Sequence, residues 1–224
     1  MGTIHLIGTV IYFTMLVGLS IYGCHRYVMI YLYYKYRKQT PKPPSQFAVL
    51  PKVTVQLPVY NEMYVAERLL DSIAALDYPQ DKLEIQVLDD STDETTGIIA
   101  HKVGELQQQG FDIAHIHRTN RQGYKAGALE HGLHQATGEF IAIFDADFVP
   151  MPDLLQRLIQ YFTDPKIGMI QSRWGHLNEK YSLLTRVQSI FLDGHFLIEQ
   201  TARARSGRFF NFNICNTTVQ FKII

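Results

Sequence analysis

The sequence predicts an α/β fold in which a mainly parallel sheet carries helices on both faces and follows one N-terminal transmembrane helix. Three observations carry that expectation. Short apolar runs of strand length alternate with segments of helical periodicity from Val53 to Phe144, the pattern that builds a parallel sheet. Acid-rich clusters stand at the ends of those runs, where such sheets bind ligands. The stretch Ile4 to Cys24 holds no Lys, Arg, Asp or Glu and has the roughly 20 residues needed to span a bilayer.

The chain has 224 residues, 46% of them apolar, enough for one full core and an appendage. Its formal net charge is zero, so no face need be strongly basic and a nucleic-acid partner is not expected. Cys24 and Cys215 are far apart in the sequence, which indicates neither a disulfide framework nor a zinc site.

Residues 1–39 read as a signal anchor with a basic juxtamembrane segment. A cleaved signal peptide carries basic residues before its apolar stretch. Here His25, Arg26, Lys35, Arg37, Lys38 and Lys42 follow it, which puts the rest of the chain on the cytoplasmic side of a cell membrane. Tyrosines thicken towards the basic end and carry the helix to about Tyr34. Residues 40–50 form a proline-rich linker, since Pro41, Pro43 and Pro44 cannot continue a helix.

From there the elements follow in order. Val53 to Leu57 is a strand, and Val65, Leu69, Ile73 and Leu76 mark a helix that Tyr78-Pro79 stops. Glu84 to Leu88 is a second strand, Ile99, Val103 and Leu106 a second helix, and Phe111 to Ile116 a third strand. Tyr124 to Thr137 is a helix with Leu129 and Leu133 on one face, and Phe140 to Phe144 is the strand after it. Asp153 is placed to cap a helix through Phe162. Lys166 to Ser172 reads as a strand and Ser182 to about Ala204 as a long helix.

The chemistry collects at the strand ends. Tyr60-Asn61-Glu62 follows the first, Asp89-Asp90-Ser91-Thr92-Asp93 the second, and Asp145-Ala146-Asp147 the strand that begins at Phe140. Each alone is compatible with a turn or a helix cap. Together they place carboxylates on one rim, and crowded carboxylates call for a cation or for ligand donors. Arg118, Arg121, Gly123 and Lys125-Ala126-Gly127 stand between the third strand and the next. A lysine in a glycine-bordered turn that opens a helix can approach phosphate closely. Paired aspartates with such a lysine suit a divalent cation holding a diphosphate.

These motifs occur in an order that resembles the family-two processive glycosyltransferases, and within them the cellulose-synthase-like enzymes of the glucomannan-synthase type. The resemblance runs from about Val53 to Asn213 and includes Pro58 to Glu62, Gln86 to Asp93, Gly123 to Leu129, Phe144 to Phe148, Gln171 to Trp174, and Leu184 to Gln188. It implies the GT-A fold, a Rossmann-like nucleotide-diphospho-sugar domain, over residues 51–224. The implied activity is metal-dependent, inverting transfer of a hexose from UDP-glucose or GDP-mannose to a growing β-glycan. Tyr60, Glu62 and Asp89 or Asp90 would surround base and ribose, Lys125 would sit near the nucleotide, and Asp145 and Asp147 would hold Mg2+ or Mn2+. His176, His195 and Trp174 would lie nearer the acceptor.

In the family, the stretch resembling Phe210-Asn211-Phe212-Asn213 continues into motifs that carry the catalytic base and grip the acceptor. This chain reads Ile214-Cys215-Asn216 instead and stops at Ile224. The resemblance therefore implies a domain incomplete at its C-terminus, with the general base beyond residue 224. Two non-enzymatic readings stand beside the hexosyltransferase. One is a remnant that binds a nucleotide or a partner synthase without turnover, and the other a membrane-tethered scaffold whose acidic rim takes only cations.

Overall fold

A computed structural model describes residues 2–172, 175–176, 178–208 and 218–220. In chain order the elements are α1 (Gly2–Tyr36), β1 (Val53–Val59), α2 (Ala66–Ala74), β2 (Leu83–Asp89), α3 (Thr95–Gln108), β3 (Asp112–His117) and α4 (Tyr124–Leu133). There follow β4 (Phe140–Ile143), α5 (Leu154–Ile159), β5 (Met169–Gln171), α6 (Leu183–Asp193), α7 (Thr201–Arg205) and β6 (Thr218–Gln220). They divide between two compact units. Residues 42–173 and 213–224 form the sheet unit, and residues 1–41 and 174–212 form a helical unit.

The sheet runs β3-β2-β1-β4-β6-β5. β1 is parallel to β2 and to β4, and β2 is parallel to β3. β6 pairs antiparallel with β4 and with β5. β1 is buried on both faces, with Val53, Val55, Leu57 and Val59 on one and the polar Thr54 and Gln56 on the other. α2 adds Leu69, Leu70 and Ile73 to that core, and α3 adds Ile99, Val103 and Leu106. Between β1 and β4 the chain order reverses, a switch point that opens a crevice beyond the carboxyl ends of the strands.

Several elements differ from the expectation. β1 continues two residues to Val59, because Pro58 lies past the last β4 rung at Gln56 and costs the ladder no donor there. α4 stops at Leu133. The Thr137 N–H and hydroxyl donate to Glu84 at 2.8 and 3.0 Å, and the Gly138 N–H donates to Thr54 Oγ1 at 2.9 Å, which draws the chain into the next strand.

The buried side of α4 is Ala128 and Gly132, while Leu133 is exposed. A Cβ on Gly132 would sit 2.7 Å from both Gln56 Nε2 and Leu88 Cδ2, so the small residue sets how closely α4 lies on the sheet. Asp153 makes no side-chain cap; its carboxylate meets Arg157 at 3.3 Å instead. The strand expected over Lys166 to Ser172 shortens to β5.

In the helical unit, α1 is one helix long and apolar enough to cross a membrane, and its most apolar stretch is wholly exposed. Its C-terminal turns pack through Met29 and Leu32 on Ala202, with Tyr33 and Tyr36 at the edge. The long helix expected from Ser182 is α6 and α7 joined by a π-helical segment, Gly194–Gln200. Its start is fixed by a capping box, Ser182 Oγ accepting the Thr185 N–H at 3.1 Å while Thr185 Oγ1 accepts the Ser182 N–H at 2.9 Å.

Candidate active site

The parallel strands β1, β2 and β4 deliver their polar ends to a cavity of about 320 Å³. Its walls include Tyr60 and Glu62 after β1, Asp90 after β2, Arg121 and Lys125 at the start of α4, and Asp145 and Asp147 after β4. Six of the seven residues singled out from the sequence therefore share one space.

Asp89 is the seventh, and it is not a wall. Successive residues of a strand point to opposite faces, so Asp89 and Asp90 cannot both turn to the cavity. The Asp89 side chain is fully buried. It accepts the Ser91 N–H at 2.8 Å and meets His115 Nε2 at 2.9 Å and His117 Nδ1 at 3.2 Å. Burial opposes ionisation of this carboxyl. Hydrogen bonds from His115, from the Ser91 side chain and backbone and from Thr96 outweigh burial, and hold Asp89 well below the usual carboxylate range. Both imidazoles then meet it with an N–H. The three ligand atoms lie within 4.8 Å of one another, close enough for a metal ion, but the hydrogen bonds account for the arrangement as it stands.

Asp90 is held by Arg118 through two parallel bonds, Nε at 2.7 Å and Nη2 at 2.6 Å. Both side chains are nearly buried, and the paired carboxylate keeps the guanidinium above its ordinary pKa. The same guanidinium donates to the carbonyls of Gln122 at 3.4 Å and Tyr124 at 3.2 Å. Arg118 thus ties the end of β2 to the turn that opens α4. That turn is tight: Gly123 and Tyr124 have φ of 73° and 50°, and a Cβ on Gly127 would stand 2.1 Å from the Gln122 carbonyl oxygen. Glycine at 127 is required by that contact. In the sequence Arg118 is only one of several basic residues before α4, and nothing there marks Asp90 as its buried partner.

Lys125 projects from the first turn of α4 to an ion pair with Asp145. Burial raises the Asp145 pKa, the Lys125 ammonium pulls it down, and Asp147 raises it further, for a net upward shift. Asp145 and Asp147 stand two positions apart and both line the cavity, so their like charges repel. Two hard oxygen donors of this kind, one half-buried and one exposed, suit Mg2+ or Mn2+. Asn61, in the left-handed region with φ 54°, links two loops. Its N–H donates to Ser91 Oγ at 2.9 Å, and its Oδ1 accepts the Thr92 N–H at 2.9 Å.

The remaining expectations fall in the helical unit or outside the described residues. His176 stands 3.8 Å from Asp193, and His195 stands 3.5 Å from Glu199. Arg173, Trp174 and the stretch from Phe210 to Asn213 lie outside the described residues.

The family model for glycosyl transferase family 2 matches residues 54–221, which takes in every strand from β2 to β6 and nearly all of β1. The chain belongs to glycosyl transferase family 2. Among curated relatives it is 42% identical over 168 residues to glucomannan 4-beta-mannosyltransferase 2 of Arabidopsis thaliana, covering 73% of this chain and 32% of that protein. It is 41% identical, again over 168 residues, to probable glucomannan 4-beta-mannosyltransferase 7 of Oryza sativa subsp. japonica, with coverages of 73% and 29%. The chain thus spans about a third of the length of the curated relatives it matches. A solved structure that it resembles is the mannosyltransferase PcManGT from Pyrobaculum calidifontis in complex with GDP-Man and Mn2+. There the TM-score is 0.66 at 26% identity, with 92% of this chain and 55% of that one covered. The fold is GT-A.

Proposed function

We propose that this chain carries the donor site of a membrane-anchored hexosyltransferase that moves mannose or glucose from a nucleotide sugar to a β-glycan acceptor. The observation that carries the proposal is the convergence of Tyr60, Glu62, Asp90, Lys125, Asp145 and Asp147 on one cavity at the switch point of the sheet. In this reading Tyr60, Glu62 and Asp90 receive the nucleoside and Lys125 receives phosphate. Asp145 and Asp147 would hold Mg2+ or Mn2+, which supplies Lewis-acid stabilisation of the leaving diphosphate. The relatives named as glucomannan mannosyltransferases and the structural relative bound to GDP-Man and Mn2+ favour GDP-mannose over UDP-glucose. Apolar α1 and the basic residues after it support a membrane anchor with the sheet unit in the cytoplasm.

Calorimetry on the full chain in detergent tests the reading, with GDP and UDP each titrated with and without Mn2+. GDP should bind with the higher affinity, Mn2+ should strengthen it, and Asp147→Ala should abolish that strengthening. A cation taken up with no coupling to either nucleotide would overturn the proposal in favour of a scaffold.

A further inference from the structure

Three cations reach the cavity region, and their partners differ in kind. Arg118 is bound by the Asp90 carboxylate and Lys125 by the Asp145 carboxylate. Among the described residues no carboxylate lies within ion-pair distance of Arg121. Its guanidinium carbon instead stands 3.3 Å over the ring centroid of Tyr60, with the Tyr124 ring 5.2 Å away. Arg121 and Tyr60 are both exposed and both line the cavity, so the covered face of Tyr60 is turned towards a wall of that space.

A flat guanidinium stacked on an aromatic ring is a weak restraint at an exposed site. A charge-assisted bond to phosphate is stronger. An aromatic face that lines a cavity is also a surface on which a planar base can stack. We propose that Arg121 is an exchangeable cover of the donor site: it rests on Tyr60 when the cavity is empty, yields that face to the nucleobase, and moves its charge to the diphosphate. The inference rests on the nucleotide reading above and adds to it a residue that acts on base and phosphate in opposite senses. Without the guanidinium the base gains an open ring, whereas the diphosphate loses a cation that no carboxylate already holds.

The opposite signs are the test. Guanosine and GDP, the latter with Mn2+, are titrated against the wild type, Arg121→Ala and Arg121→Lys in the full chain. Removing the stack should tighten guanosine binding about two- to fivefold in Arg121→Ala, while GDP weakens about tenfold. Arg121→Lys keeps the charge without the planar stack. It should recover most of the GDP affinity and keep the guanosine gain. Equal weakening of guanosine and GDP in Arg121→Ala would make Arg121 an ordinary wall and overturn the exchange. A wild type that binds GDP, with variants that match it for both ligands, overturns the exchange alone. A wild type that binds neither removes the nucleotide reading and this inference together.

Discussion

Lys125 and Asp145 form an ion pair that joins the first turn of α4 to the end of β4. The ammonium offsets the charge of Asp145, which is half-buried and has Asp147 as a carboxylate neighbour. A divalent cation held by Asp145 and Asp147, as proposed above, would compete with Lys125 for the Asp145 oxygen atoms in the absence of nucleotide. With a diphosphate present, both positive charges would have a partner.

Lys125→Gln separates those roles. The variant should bind Mn2+ alone more tightly, by about tenfold, because one competing charge is gone. Its GDP affinity should fall by about tenfold, because a phosphate partner is gone. Titration of Mn2+ by electron paramagnetic resonance, beside calorimetry with GDP, reads both changes. A loss in both titrations would mean that Lys125 organises the site rather than competing within it.

Arg118→Leu should be costly for stability. It leaves the nearly buried Asp90 carboxylate without its partner, and breaking a buried pair from one side costs about 3–5 kcal/mol. Arg118→Leu combined with Asp90→Leu should recover much of that loss, because the stranded charge goes with its partner. Urea midpoints of the two variants check the order. A double variant as unstable as the single one would assign the cost to the Gln122 and Tyr124 carbonyls that Arg118 also binds.

Gly127→Ala and Gly97→Ala should have opposite signs. The methyl at 127 meets the Gln122 carbonyl oxygen at 2.1 Å, so the turn must open. We expect a loss of about 1–3 kcal/mol, with weaker GDP binding as Lys125 shifts. At 97, inside α3, nothing lies within 4 Å of the new methyl, and alanine should stabilise by roughly 0.5–1 kcal/mol. Thermal midpoints decide it.

Asp89 sets an acid limb on stability. Its pKa is depressed in the folded state, so its contribution is complete above the unfolded carboxylate value of about 4 and is lost as pH falls through the lower folded value. Asp89→Asn should be less stable than wild type at neutral pH, and the gap should narrow steadily below about pH 4. Urea unfolding across that range measures the gap. A gap independent of pH would assign the loss to packing around His115 and His117.

The alternation of strand and helix was legible in the sequence because apolar residues recur at every second position of β1 and β2 and fill β4, while the helices between repeat at helical spacing. The acidic strand ends were legible for a related reason. One acidic cluster at a strand end is explained by a turn or a cap, but three recurring at one edge of a parallel sheet are not. Which of Asp89 and Asp90 turns to the cavity was not legible, because a period of two fixes that they differ and not which is which. Leu129 and Leu133 mark one face of α4, but the helix is buried through Ala128 and Gly132, and the close approach of Gln56 and Leu88 to position 132 was not legible without the packing. The role of Arg118 was hidden for a similar reason: its buried partner lies far away in sequence and reaches it only through the pairing of β2 with β3.

Asn61 carries a mechanical consequence. Its backbone N–H and side-chain oxygen clasp Ser91 and Thr92 at the same time, so the segments leaving β1 and β2 are pinned as a single lip. Any opening at that edge must move Tyr60, Glu62 and Asp90 as one body, and Arg118, which holds Asp90 and the Gln122 and Tyr124 carbonyls together, ties the turn before α4 to the same lip.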